Sequence, residues 1–268
     1  KQLQPKATVT YKFPDKRGSI YASYGRSFKS GGYNPIGTRA VLLQGLPNIL
    51  VQDSYDKEVA DSFEIGFKAA LFDRRVNLNG AVFHTKVKNA QQFEFFPTGG
   101  IQAISQIKKT RINGAELDIN ARVTDTLTLF GGAGYIDDKI TDIDSQDPND
   151  RADIIGNRIP FVPDWTLSGG FQLVQPISET LNLLARADYT YTGRVWYDQR
   201  NLANTDRSPV NLVNARLGVG GEKWELALWS KNLFNQKYNS DAVVILPVAH
   251  AVYRAPDRSL GIEGRLEF

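Results

Sequence analysis

The stretch Ser259-Leu-Gly-Ile-Glu-Gly-Arg-Leu-Glu-Phe268 at the end of the chain decides the fold. Leu260, Ile262, Leu266 and Phe268 share one parity, with Gly264 between them, while Glu263, Arg265 and Glu267 share the other. Successive side chains of a strand point to opposite faces, so this is a strand with one apolar and one charged face. The pattern recurs upstream. Ala115, Leu117, Ile119 and Ala121 alternate with Glu116, Asp118, Asn120 and Arg122; Phe63, Ile65 and Phe67 alternate with Glu64, Gly66 and Lys68. Leu181, Leu183, Ala185 and Ala187 alternate with Asn182, Arg186 and Asp188, and Ala7, Val9 and Tyr11 do so against Lys6, Thr8 and Lys12. A soluble strand usually lasts about five or six residues, whereas a bilayer-spanning strand needs roughly nine to eleven. Several runs reach the longer value. Their charged parity would be intolerable in a sandwich core, because buried unpaired charge is costly. A barrel with a lipid-facing exterior and a wet lumen accepts it.

The connections alternate in length. Short ones lie at 15–18, 73–75, 124–126, 177–180 and 220–223; long ones, most of them rich in Gly, Pro, Asn and Asp, lie near 28–57, 141–163, 197–208 and 234–256, with a shorter one near Phe96–Gly100. Outer-membrane barrels have short periplasmic turns and longer extracellular loops. This rule gives about eleven strands, an odd number that cannot close with strict antiparallel pairing. An open edge cannot face lipid, and eleven is half of the roughly 22 strands of plugged outer-membrane transporters. The expected fold is therefore all-β: a transmembrane antiparallel β-barrel, with residues 1–268 as one incomplete domain. Phe63, Phe67, Leu181 and Leu266 are expected to face lipid, with Leu183 near mid-depth.

Composition narrows the classes further. Hydrophobic residues make up 41% of the chain, and no stretch approaches the roughly 18 consecutive apolar residues of a membrane helix. The absence of cysteine excludes disulfides, thiolate metal sites and cysteine nucleophiles. There is no methionine and no signal-like segment, so the chain is expected to begin within a longer protein. A net charge of +3 is too small to argue for nucleic acid.

The block Lys231-Asn-Leu-Phe-Asn-Gln-Lys-Tyr238 resembles the N-L-F-(N/D)-x-x-Y signature of TonB-dependent outer-membrane receptors. Ala255-Pro-Asp-Arg258 and a last strand ending in Phe268 are similar to that family's Pro-x-Arg lead-in and terminal aromatic. The passage Tyr21–Asn34, the pair Glu64–Lys68 and Leu71–Arg75, and Phe161-Val-Pro-Asp-Trp165 resemble earlier barrel blocks of siderophore-type members. The resemblance implies a receptor with an N-terminal plug inside a 22-stranded barrel, importing a scarce ligand with energy passed on by TonB. A ferric siderophore is the leading cargo; vitamin B12, haem, other metals and glycans are alternatives. The plug and remaining strands lie outside this chain. Implied partners are those segments, TonB through the plug, and outer-membrane lipid and lipopolysaccharide. A passive porin completed by a partner chain is the competing reading.

Aromatic and basic residues at outer strand ends and loops form the candidate ligand set: Tyr33, Arg39, Trp196, Tyr197, Arg200, Tyr253 and Arg254. Guanidinium groups bind oxygen anions bidentately and stack on rings, which suits an anionic siderophore with flat arms. The alternative is that the aromatics mark the membrane interface. Asp142, Asp144, Asp147, Asp150 and Asp153 have spacing reminiscent of calcium loops, but Asp147 stands where an EF-hand requires glycine and no flanking helices are expected. A solvated acidic loop is the expectation. Gly131-Gly-Ala-Gly134 lacks the nucleotide-binding spacing and is expected to mark a bulge or a close approach of the plug. His84, expected in a strand, and His250, expected in a loop, lack a spaced carboxylate partner. No resident metal, cofactor or enzymatic activity is expected.

Overall fold

The computed structural model describes residues 2–15, 17–44, 51–96, 100–145, 147–203, 206–245 and 249–268, the side chains at 243–245 and 249–250 excepted. Eleven strands among them form one antiparallel sheet in unbroken chain order. They are Lys6–Lys12 (β1), Gly18–Lys29 (β2), Glu58–Leu71 (β3), Val76–Phe96 (β4), Ile101–Arg122 (β5) and Leu127–Asp142 (β6), followed by Trp165–Pro176 (β7), Asn182–Thr192 (β8), Val210–Gly220 (β9), Trp224–Lys231 (β10) and Ser259–Leu266 (β11). The expected strand number and the alternation of short and long connections both hold.

Register confirms the two faces. Ile20, Phe67, Gly80, Leu117, Ala133 and Leu167 lie directly opposite one another across six strands. One residue along, Ser19, Lys68, Asn79, Asp118, Gly132 and Ser168 make an equally continuous polar row. Directly opposite residues share a face, so the sheet has an apolar exterior and a polar lumen side. The exterior side chains are open in this chain, Ile65 at 63%, Val82 at 56% and Ile262 at 74% exposure, as a lipid-facing wall requires. Leu183 departs from expectation. It is the second residue of β8, opposite Gln175 and Val219 and next to a short turn, so mid-depth falls on the row of Leu117 instead.

At 21 and 22 residues, β4 and β5 are far longer than a bilayer needs. That is roughly 70 Å of strand, or roughly 50 Å along the barrel axis at a tilt of about 45°, against a hydrocarbon core of about 30 Å. Their outer ends therefore stand clear of the membrane and support the long loops. The buried clusters gather there, not in the wall. Leu42 of a short helix, Thr38–Leu43 (α1), packs with Val51, Phe96 and Ala103. Ile154 of a second helix, Pro148–Ile154 (α2), packs with Ile107, Ile140 and Ile143. Val195, Tyr197 and Ala242 form a third cluster.

Two expectations change in this region. The acidic stretch contains α2: Asp147 caps it by accepting from the Asn149 N–H at 2.9 Å, and Pro148 occupies the first turn, where its missing N–H costs nothing. The last long loop contains a hairpin, Asn239–Ile245 paired with Ala249–Arg254, which puts His250 in a strand.

Candidate functional site

On the lumen side, the wall divides electrostatically. Across β8–β11 the charges neutralise one another: Arg186 donates to both oxygens of Asp188 at 2.9 and 2.7 Å, and Arg216 pairs with Glu225 and with Glu263. Across β3–β6 they do not. Glu64 accepts from the Tyr21 hydroxyl at 2.7 Å, while Glu116 and Asp118 form no ion pair among the described residues. Both carboxylates line an open groove of about 330 Å³, floored by Gly132, Gly134, Thr166 and Ser168. A Cβ at Gly132 would sit 2.8 Å from the Asp118 carboxylate and 3.1 Å from Ser168 Oγ. The glycine cluster thus keeps the groove clear beside these acids, and its pairing with both neighbouring strands is regular, without a bulge.

At the outer end, residues from distant loops lock together. Gln199 donates to Glu94 at 3.0 Å, Asn157 donates to the Gln199 carbonyl at 3.0 Å, and Arg158 N–H donates to Asn201 at 2.8 Å. Ser105 also donates to Glu94. Loss of solvent around this carboxylate pushes its pKa up, against the hydrogen bonds from Ser105 and Gln199 and the attraction of Arg200. The acidic stretch is consumed in the same way. Asp142 pairs with Lys109 at 3.3 Å and Arg151 at 3.1 Å, and Asp150 accepts from Ser145 and from Arg200. Burial alone would raise the Asp142 pKa, but Arg151 and the lysines outweigh it and hold it low. No grouping of three or more metal-ligating side chains occurs among the described residues.

The seven candidate ligand residues separate by environment. Tyr33 and Tyr253 are 87% and 57% exposed, and Arg254 is exposed beside Tyr253. Arg39 lies on α1, where its guanidinium donates to the Val51 carbonyl at 3.4 Å. Trp196 accepts from the Phe161 N–H at 2.8 Å and lies under Arg194 at 5.5 Å. Tyr197 is buried against Phe161, with ring centroids 5.6 Å apart, and packs on Ala242. Arg200 is held by Asp150 at 3.1 Å. The Tyr197–Ala242 contact brings the 193–207 loop onto the hairpin that carries Tyr253 and Arg254. Tyr33 and Arg39 belong to a separate loop seated on β4 and β5. Sequence reading missed Glu94 and Gln199; the available signal was a carboxylate set between Phe93 and Phe95.

The Lys231–Tyr238 block forms the turn leaving β10. Asn232 and Asn235 take left-handed φ values of 51° and 54°, which short polar side chains tolerate by local hydrogen bonding. The Asn232 side chain accepts from the Gln236 N–H at 2.8 Å and donates to its carbonyl at 3.0 Å, while Asn235 accepts from the Arg258 N–H at 2.9 Å. The motif ties the last loop to the start of β11. His84 Nδ1 lies 2.7 Å from Asn113 Oδ1 on the exterior face, away from the lumen acids.

Comparison with known proteins agrees with this geometry. The probable TonB-dependent siderophore receptor PiuA of Acinetobacter baumannii is 30% identical over 246 residues, which is 88% of this chain and 30% of that receptor. The catecholate siderophore receptor Fiu of Escherichia coli is 27% identical over 165 residues, 61% of this chain and 20% of Fiu. The crystal structure of the ferric yersiniabactin uptake receptor FyuA from Yersinia pestis superposes with a TM-score of 0.78 at 21% identity, over 100% of this chain and 37% of that one. That of PiuA gives 0.71 at 24% identity, over 97% and 35%. The chain thus spans about a third of the length of the proteins it resembles. Residues 1–233 match the family model described as TonB dependent receptor-like, beta-barrel, and with strand order, faces and signature turn in agreement, the chain belongs to the TonB-dependent receptors, as part of the wall of their outer-membrane barrel.

Proposed function

We propose that residues 1–268 supply one continuous part of the barrel wall and outer loop surface of a TonB-energised importer, with a ferric siderophore as its cargo and no covalent chemistry. The family match carries the reading, and two features of the chain support it. Glu116 and Asp118, which form no ion pair among the described residues, face the space where a plug would sit, and they suit cationic groups on that plug. The exposed Tyr33, Tyr253 and Arg254 offer stacking surface and a guanidinium at the outer mouth for an anionic, ring-bearing ligand. A passive porin is not favoured, since the relatives bear the names of receptors.

The test is uptake of radiolabelled iron by iron-limited cells that lack the gene carrying this chain, offered catecholate and hydroxamate complexes in turn. Uptake of one complex should return with the gene and vanish when TonB is deleted. Uptake that persists without TonB would indicate a passive pore, and uptake of neither class would overturn the siderophore assignment.

A further inference from the structure

Four aromatic rings on the lumen face are each folded onto a glycine of the next strand. Tyr21 of β2 lies opposite Gly66, Phe83 of β4 opposite Gly114, Phe130 of β6 opposite Gly170, and Trp229 of β10 opposite Gly261. A Cβ on any of these glycines would come under 3.0 Å from the ring. Strand glycine marks a close approach, and here the ring fills the space that the missing side chain leaves. All four rings are half-buried by the wall itself, whereas Phe63 on the exterior is 54% exposed. The rings lie along the wall and do not stand into the lumen.

The four joints differ in what covers them. Arg186 lies over the Phe130 ring at 4.9 Å, held there by Asp188 at 2.7 Å and Gln172 at 3.3 Å. Lys231 lies over the Trp229 ring at 5.8 Å. The ring quadrupole attracts a cation above its face, so both rings are enclosed between a glycine and a cation. No cation stands over Tyr21 or Phe83 among the described residues. Across β6–β11 the lumen face therefore has low relief, no bare ring, and the carboxylates of Asp188, Glu225 and Glu263 already paired. Across β3–β5, Glu116 and Asp118 are exposed and form no ion pair among the described residues. A body inside the barrel is held by charge on the second side and meets neither free carboxylate nor obstacle on the first.

We propose that cargo passes along the inner face of β6–β11, where Gly170 and Gly261 let Phe130 and Trp229 lie flat, while the plug stays engaged on β3–β5. This rests on the importer reading above. Gly170 also faces the Ala187 carbonyl, whereas the nearest atoms at Gly261 all belong to the Trp229 ring, so Gly261 gives the cleaner test.

Iron-limited cells carrying the gene would be offered radiolabelled ferric catecholate and hydroxamate complexes, with surface binding and uptake rate measured separately. Gly261→Ala should lower the maximal uptake rate about tenfold or more, since overpacking drives a side chain from its favoured rotamer. Binding and heat-dependent gel mobility should stay unchanged, and adding Trp229→Ala should restore uptake. Gly66→Ala and Gly114→Ala should leave uptake as it was. Equal slowing by all three alanine variants would reduce the joints to fastening and overturn the proposal, as would a Trp229→Ala change that restores nothing. If Gly261→Ala fails to assemble, single cysteines at Asn79 and Thr190 decide; the two share one lumen row, beside Asp118 and beside Ser168. During uptake Thr190→Cys should react faster with a membrane-impermeant maleimide than in cells without TonB, and Asn79→Cys should not; any other pattern would overturn the proposal. Uptake of neither complex by the unaltered protein would remove the importer reading and this passage with it.

Discussion

Replacing Leu117 with arginine would place a charge near the middle of the apolar belt. Leu117 is on β5, 46% exposed on the exterior, with Gly80 and Ala133 directly opposite on the flanking strands. Neither neighbour offers a polar side chain. The first polar row of the same face, His84, Asn113 and Asp137, lies four residues further along, about 13 Å of strand. An arginine can bend its head toward that row but keeps its stem in hydrocarbon. On the lipid face of a barrel such a residue costs about 2–4 kcal/mol at the midplane and about 0–1 near the interface. At about 1.4 kcal/mol per factor of ten, Leu117→Arg should lower the folding equilibrium constant roughly thirty- to thousand-fold. Asn113→Arg, on the same strand and face, should stay within a few-fold of the parent. The assay is reversible folding into phospholipid vesicles across a denaturant series, followed by tryptophan fluorescence and heat-dependent gel mobility. Equal losses for the two variants would refute the exterior assignment: Asn113→Arg gives up its contact with His84 but sets its guanidinium beside Asp137 at the edge of the belt, whereas Leu117→Arg has only Gly80 and Ala133 opposite.

Three further outcomes follow from the outer cap and the signature turn. Arg200→Ala removes the guanidinium from Asp150 and should cost the cap about 1–3 kcal/mol, the worth of a hydrogen bond to a charged group; amide exchange should quicken across 147–156 and 198–202 while the wall strands stay unchanged, and a uniform change would contradict the local assignment. Glu94 has a raised pKa in the folded protein, so its stabilising contribution is complete below the ordinary value of 4.5 and is lost as pH rises through the raised value. Protection factors of 198–202, corrected for intrinsic exchange, should therefore fall with rising pH and become level in Glu94→Gln; an unchanged slope in that variant would remove Glu94 as the cause. Asn232→Ala keeps the left-handed φ without the side-chain bonds to Gln236 and should cost about 1–2 kcal/mol by unfolding midpoint, and Asn232→Gly should cost less.

Strand number, alternation of turns and the two faces were legible in the sequence because each depends on local chemistry. The side-chain period of a strand is two regardless of its partners, so Phe63, Leu117 and Ile262 declare one face and Glu64, Asp118 and Glu263 the other. Short turns such as Thr124–Thr126 and the Asn-rich turn after β10 are likewise written in adjacent residues. The family signature follows from the same locality. What the tertiary structure alone decided is register, and everything register places side by side. Phe130 folds onto Gly170 and Trp229 onto Gly261, and nothing in any one strand announces the pairing. The cap is of the same kind: Glu94 meets Gln199 across 105 positions, and Asp150 meets Arg200 across 50, so an acidic stretch that reads as a solvated loop becomes a capped helix neutralised from elsewhere. Tyr197 packs against Phe161 and Arg200 pairs with Asp150, contacts between separate loops that residue type does not announce. A pattern of period two fixes which way a side chain points; only the pairing of strands far apart in sequence fixes what it points beside.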